Sequence, residues 1–229
     1  MKTLFKYEVQ EPIKLYILTF FSILVSAVHK VFLLKQMGQF ISSSPLFPLP
    51  RFFVDMAQFN GPLYFLAAIF IPFIVALSVR EERDEGTALS IYALPYSKKA
   101  ILTIKFISNF LLLVSCFFVV HVLIFFLHFS ETPEAAFKSL LAGAPFLLLF
   151  YAVVIFYMLS VSSFIAVSSP NMYVAILVSF LILYLPTLIG IRTLLPMTSD
   201  FLGVSRILFP LSLMSFTAYI IMGNWRDVK

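Results

Sequence analysis

Charge, cysteine and glycine are all scarce in this sequence. Asp, Glu, Lys and Arg together make up 12% of 229 residues, too few to keep a soluble domain of this size in solution or to build the basic face of a nucleic-acid binder. The seven glycines are scattered singly, and no Gly-x-x-x-x-Gly-Lys-Ser/Thr loop exists, so the chain has no phosphate cradle with which to hydrolyse ATP itself. A single cysteine, Cys116, lies inside an apolar run; it forms no internal disulfide and no multi-cysteine metal site, and packing is its expected role.

Apolar residues supply what remains: 61% of the chain, including 28 Phe, with a mean hydropathy of +1.02. Several runs approach or exceed the roughly 20 apolar residues that cross about 30 Å of hydrocarbon as a helix. None shows the ten-residue alternation of a membrane barrel. The fold class is therefore all-α, a polytopic membrane protein of about six transmembrane helices forming one domain over 1–229. Residues 1–14 read as an interfacial helix, with Leu4, Phe5 and Val9 toward lipid and Lys2, Lys6, Glu8 and Glu11 toward water, ended by Pro12. The first run is too long for a cleaved signal peptide and is expected as a retained span. Spans are expected at about 15–34, 61–78, 100–128, 140–167, 172–194 and 207–222, with a short loop "FSETPEAAFK" before the fourth, a turn "SSPN" before the fifth and a kink at Pro186.

Lys and Arg fall unevenly between alternate loops. The N-terminal tail (Lys2, Lys6, Lys14) and the segment after span two (Arg80, Arg83, Lys98, Lys99, Lys105) hold eight, against four (Lys30, Lys35, Arg51, Lys138) on the other side. Cationic loops stay on the side of synthesis, which puts the N-terminus and the 80–105 segment in the cytoplasm of a cell-membrane protein. Lys105, just inside span three, is expected to snorkel to the near interface.

The charged segment has more order than a tether needs. Acidic and basic residues Glu81, Glu82, Arg83, Asp84 and Glu85 precede Gly86-Thr87, then apolar Ala88, Leu89, Ile91 and Leu94, then Pro95-Tyr96-Ser97-Lys98-Lys99. That is a short helix with a start, an apolar face and a proline stop. Gly86 lets the chain turn, and the apolar positions suit insertion into a partner's cleft.

"ERDEGTALSIYALPYSKKAILTIK" resembles the signature between spans two and three of the ABC type-2 permease family, matching at Glu82, Arg83, Gly86, Thr87, Leu94, Pro95, Ser97, Lys98 and Lys105. The resemblance implies a membrane subunit of an exporter driven by a separate ATP-binding cassette protein, two permease copies, identical or related, pairing over two ATPases. It implies that the 80–99 loop is a coupling helix, with Glu82, Arg83, Gly86, Thr87, Leu94, Pro95, Ser97 and Lys98 as its ATPase-coupling residues. No catalytic, cofactor or metal residue is expected in this chain, Mg-ATP belonging to the partner; lipid is the remaining partner, and nucleic acid is not one.

Competing readings are weaker on the residues. Glu81-Glu82 resembles the paired glutamates of CAAX-type intramembrane proteases, but the Arg those enzymes carry four residues later is Gly86 here. His121 and His128 lie seven apart on span three and His29 ends span one; with no carboxylate in spans one, three, four or five, helix-to-helix hydrogen bonding is favoured over a proton or metal route, and Asn109 is read likewise. The Phe-rich spans suit lipid contact and helix packing before an aromatic ligand pocket, and Arg192 and Arg206 suit snorkelling to head groups. A stand-alone secondary transporter would need intramembrane charges or repeated spans, and a non-transporting assembly or sensor protein would keep the loop without coupling it to ATP. The stretch 207–222, with Pro210, is expected as a short sixth span placing Trp225 and Arg226 at the inner interface; the alternative is an outer re-entrant segment.

Overall fold

The computed structural model describes residues 17, 18, 20–22, 24, 61–81, 84, 96–128, 133–188 and 201–225. Among these, every regular element is helical. Beyond the helical residues 17, 18, 20–22 and 24, they are α1 (Gly61–Ala76), which continues as a π-helical turn Leu77–Glu81, then α2 (Lys98–His128), α3 (Pro133–Ser168), α4 (Met172–Leu188) and α5 (Phe201–Trp225). Lys98–Leu127, Gly143–Ser168 and Arg206–Trp225 are long and apolar enough to cross a membrane, and Tyr64–Arg80 and Met172–Leu185 are shorter apolar helices. The interfacial helix at 1–14 lies outside the described residues.

α3 is the centre of the bundle, packed against α1, α2, α4 and α5. Its C-terminal half reads "SVSSFIAVS", and Ser160, Ser162, Ser163 and Ala166 are all buried. Small side chains let helix backbones approach closely where hydrocarbon solvent gives no hydrophobic drive for association. α1 buries one face: Tyr64, Ala67, Ala68, Ile71, Ile74 and Val75 are buried at helical spacing, and the Tyr64 hydroxyl donates to the Leu183 carbonyl of α4 at 2.7 Å. Aromatic rings fill the larger gaps. Phe106 of α2 meets Phe156 of α3 and Phe216 of α5 at centroid distances of 5.6 and 4.6 Å. Phe21 meets Phe117 of α2 at 5.1 Å.

Two helices differ from their expected outlines. α3 begins at Pro133 with Glu134 in its first turn, so much of the "FSETPEAAFK" segment is helix instead of loop; a proline at the first helical position and an early acidic residue are start signals that outweigh the segment's polarity. α5 is one helix of 25 residues with Pro210 inside it, longer than the expected 207–222 piece. Its C-terminal turns pack beside the start of α2 and the end of α3: Tyr219 donates to the Leu102 carbonyl at 3.1 Å, and a Cβ built on Gly223 comes 2.5 Å from Leu102 Cδ1. The helix thus runs continuously to Trp225 beside the start of α2. Pro72, Pro145 and Pro210 all sit inside helices, as membrane helices tolerate more readily than soluble ones. Pro186 falls in the last described turn of α4.

Candidate coupling site

One end of the bundle gathers the close of α1, the start of α2, the turn between α3 and α4, and the last turn of α5. Arg80, Asp84 and Ser97, from the two ends of the charged stretch, lie here. Of the expected coupling residues, Ser97 and Lys98 are described; Glu82, Arg83, Gly86, Thr87, Leu94 and Pro95 lie outside the described residues, as do His29 and Arg192.

Ser97 caps α2. Its hydroxyl accepts the Ala100 N–H at 3.2 Å while its carbonyl accepts the Ile101 N–H at 3.1 Å, which satisfies donors the first helical turn leaves without intrahelical partners. Lys98 is the first helical residue and half-buried, and Lys99 beside it is exposed. The segment therefore enters α2 through a fixed joint.

The other leg is also fixed. Arg80 lies in the π-helical turn, and its guanidinium pairs with the Asp84 carboxylate at 2.8 Å. The same guanidinium donates to the Pro170 carbonyl, and the second Asp84 oxygen accepts the Met172 N–H at 2.9 Å. Arg80 and Asp84 thus straddle the 169–171 turn, one taking a carbonyl and the other an amide at the start of α4. Negative charge at a helix N-terminus is favourable, and charge-assisted bonds are the stronger ones. Asn171 adds a cap of its own by accepting the Val174 N–H at 2.9 Å. Arg80 and Asp84 are partly exposed, at 13% and 31%, so solvent screening reduces the ion pair's worth.

A buried polar rung joins the two legs inside the bundle. The Lys105 ammonium donates to the Ser78 carbonyl at 2.9 Å, and the Asn109 amide donates to the Ser78 hydroxyl at 3.0 Å. Ser78 and Lys105 are 0% and 1% exposed. Lys105 therefore points into the protein and does not snorkel; the π-helical turn of α1 faces it with a carbonyl, and a charge with such a partner is held more cheaply inside than an unpaired one. Farther along α2, His121 Nδ1 lies 3.0 Å from the Tyr151 hydroxyl of α3, a bond between helices of the kind expected for the span-three histidines. Cys116 sits half-buried with its sulfur 2.9 Å from the Ser22 hydroxyl.

A cap at Ser97, a clasp at Arg80 and Asp84 and a buried rung at Ser78 and Lys105 hold this end of the bundle together. A family model described as an ABC-2 family transporter protein matches residues 17–221.

The chain belongs to the ABC-2 transporter family.

That membership makes it a membrane permease of the ABC transporter kind, a transmembrane subunit and not itself the catalytic one. No curated protein matches the chain closely enough to count as a relative. Sequence reasoning singled out Lys105 from the ABC-2 signature but assigned it the wrong surroundings. It took Arg80 and Asp84 for loop charges. The signal that could have found them is their spacing: opposite charges four residues apart face each other only on a helix, which implies that α1 continues past Ser78.

Proposed function

We propose that this ABC-2 permease is the membrane subunit of an exporter, with about six spans, its N-terminus in the cytoplasm, and two permease copies, identical or related, over two cassette ATPases that bind Mg-ATP. Glu82, Arg83, Gly86, Thr87, Leu94, Pro95, Ser97 and Lys98 form the ATPase-coupling surface. Closure of the cassettes on ATP displaces this segment, and the spans rearrange to open an outward or lateral route. Lipid, peptide and drug substrates all suit spans of this composition.

The observation that carries the reading is the ordered signature held between two fixed joints. A lever has to be stiff where it enters the machine, and Ser97 supplies the cap at one end while Arg80 and Asp84 supply the clasp at the other. A loop whose work is topology alone needs its charge and no such anchoring.

The test is co-purification of the tagged chain from its native membrane, wild type beside Gly86→Trp and Glu82→Arg. A cassette ATPase recovered with wild type and lost from both variants supports the docking surface. Recovery of no ATPase with an intact wild-type chain sinks the exporter reading.

A further inference from the structure

The Arg80–Asp84 clasp reaches across to a part of the fold remote in sequence. Arg80 and Asp84 belong to the exit from α1, yet their partners, Pro170 and Met172, form the turn between α3 and α4. The turn also has contacts of its own: Asn171 accepts the Val174 N–H at 2.9 Å, and the Ser169 hydroxyl donates to the Ile165 carbonyl at 2.7 Å. Ser169 N–H also bonds Ile165 at 2.8 Å. The turn is thus partly capped from within, and the clasp both accepts the Met172 N–H and ties the turn to a second element.

We propose that Arg80 and Asp84 are positioning residues that make the end of α1 and the α3–α4 turn move as one body, so that displacement of the charged segment reaches α4 as well as α2. The inference rests on the exporter reading. The geometry asks for a donor at 80, to meet a carbonyl, and an acceptor at 84, to meet an amide. Exchange of the two charges keeps an ion pair but puts each group opposite the wrong backbone atom. A simple surface ion pair is indifferent to that exchange; the clasp is not.

The experiment is hydrogen exchange on the full chain with its co-purified ATPase in lipid nanodiscs, without nucleotide and after trapping with ATP and vanadate. The readout is the nucleotide-dependent change in exchange over residues 169–175. Wild type is expected to show such a change, Asp84→Ala and the exchange Arg80→Asp/Asp84→Arg to lose it while still retaining the ATPase, and Asp84→Glu to keep it. Asn171→Ala, which removes the turn's own cap, is expected to raise exchange in both states and leave the nucleotide-dependent difference in place.

A difference that persists in Asp84→Ala with the ATPase bound overturns the inference and leaves the exporter reading standing. A loss in Asn171→Ala equal to that in Asp84→Ala also overturns it, because the clasp would then be only one more cap. Absence of any ATPase from the wild-type preparation overturns the exporter reading, and this inference with it.

Discussion

The Lys105 ammonium lies 2.9 Å from the Ser78 carbonyl, both residues buried where α1 changes from α-helical to π-helical winding. A buried cation is costly unless it is held by hydrogen bonds. Together with Asn109, this contact ties the helix that leaves for the charged segment to the helix that returns from it.

Replacing Lys105 by Met is therefore expected to destabilise the bundle despite the gain in apolar character. The Ser78 carbonyl loses a charged donor, and the expected cost is about 1–3 kcal/mol. Thermal unfolding in detergent checks this, with Ser108→Ala as a neighbouring control. Ser108 bonds only within its own helix turn among the contacts described, donating to the Lys105 carbonyl at 2.9 Å.

Ser97→Ala is expected to fray the start of α2 at a cost of about 0.5–2 kcal/mol, and Ser97→Asp to preserve the cap. Faster amide exchange over residues 98–102 in the Ala variant only is the confirming result.

Gly223→Ala places a methyl group against Leu102, whose Cδ1 lies 2.5 Å from the new Cβ position. Leu102 is itself fully buried, so it has little room to retreat, and overpacking of this kind costs roughly 1–3 kcal/mol. Adding Leu102→Ala is expected to recover part of that loss, giving a coupling term in a double-mutant cycle that two independent sites do not show.

The Tyr64 hydroxyl bonds the Leu183 carbonyl of α4 at 2.7 Å. Tyr64→Phe keeps the ring packing and removes that bond, so a loss of about 0.5–1.5 kcal/mol is expected in the same unfolding assay.

The helical class was legible in the sequence because uninterrupted apolar length is a sufficient signal for a chain in lipid. The cap at Ser97 was not singled out, although a serine just before a basic pair and a long apolar run is a helix-start signal. The π-helical turn was not legible: it depends on how α1 meets α2, and "LSVRE" carries no local mark of it. Without that turn, Arg80 and Asp84 looked like loop charges, and Lys105 looked like a residue on its way to the interface. Their partners are a carbonyl on α1 and the backbone of a turn 88 residues away, and no pattern of side-chain types announces a backbone partner. The start of α3 was missed for a different reason, since Ser, Thr and Pro ahead of Glu134 read equally as loop or as the opening of a helix.

The most direct measurement is photo-crosslinking in native membranes from a benzophenylalanine placed at Thr87, with Met214 as the control position because its side chain is 71% exposed on an apolar face of α5. The account expects a cassette ATPase joined to the chain from position 87 and not from position 214. Equal yields from both positions, or an intact chain that captures no ATPase from position 87, would contradict it.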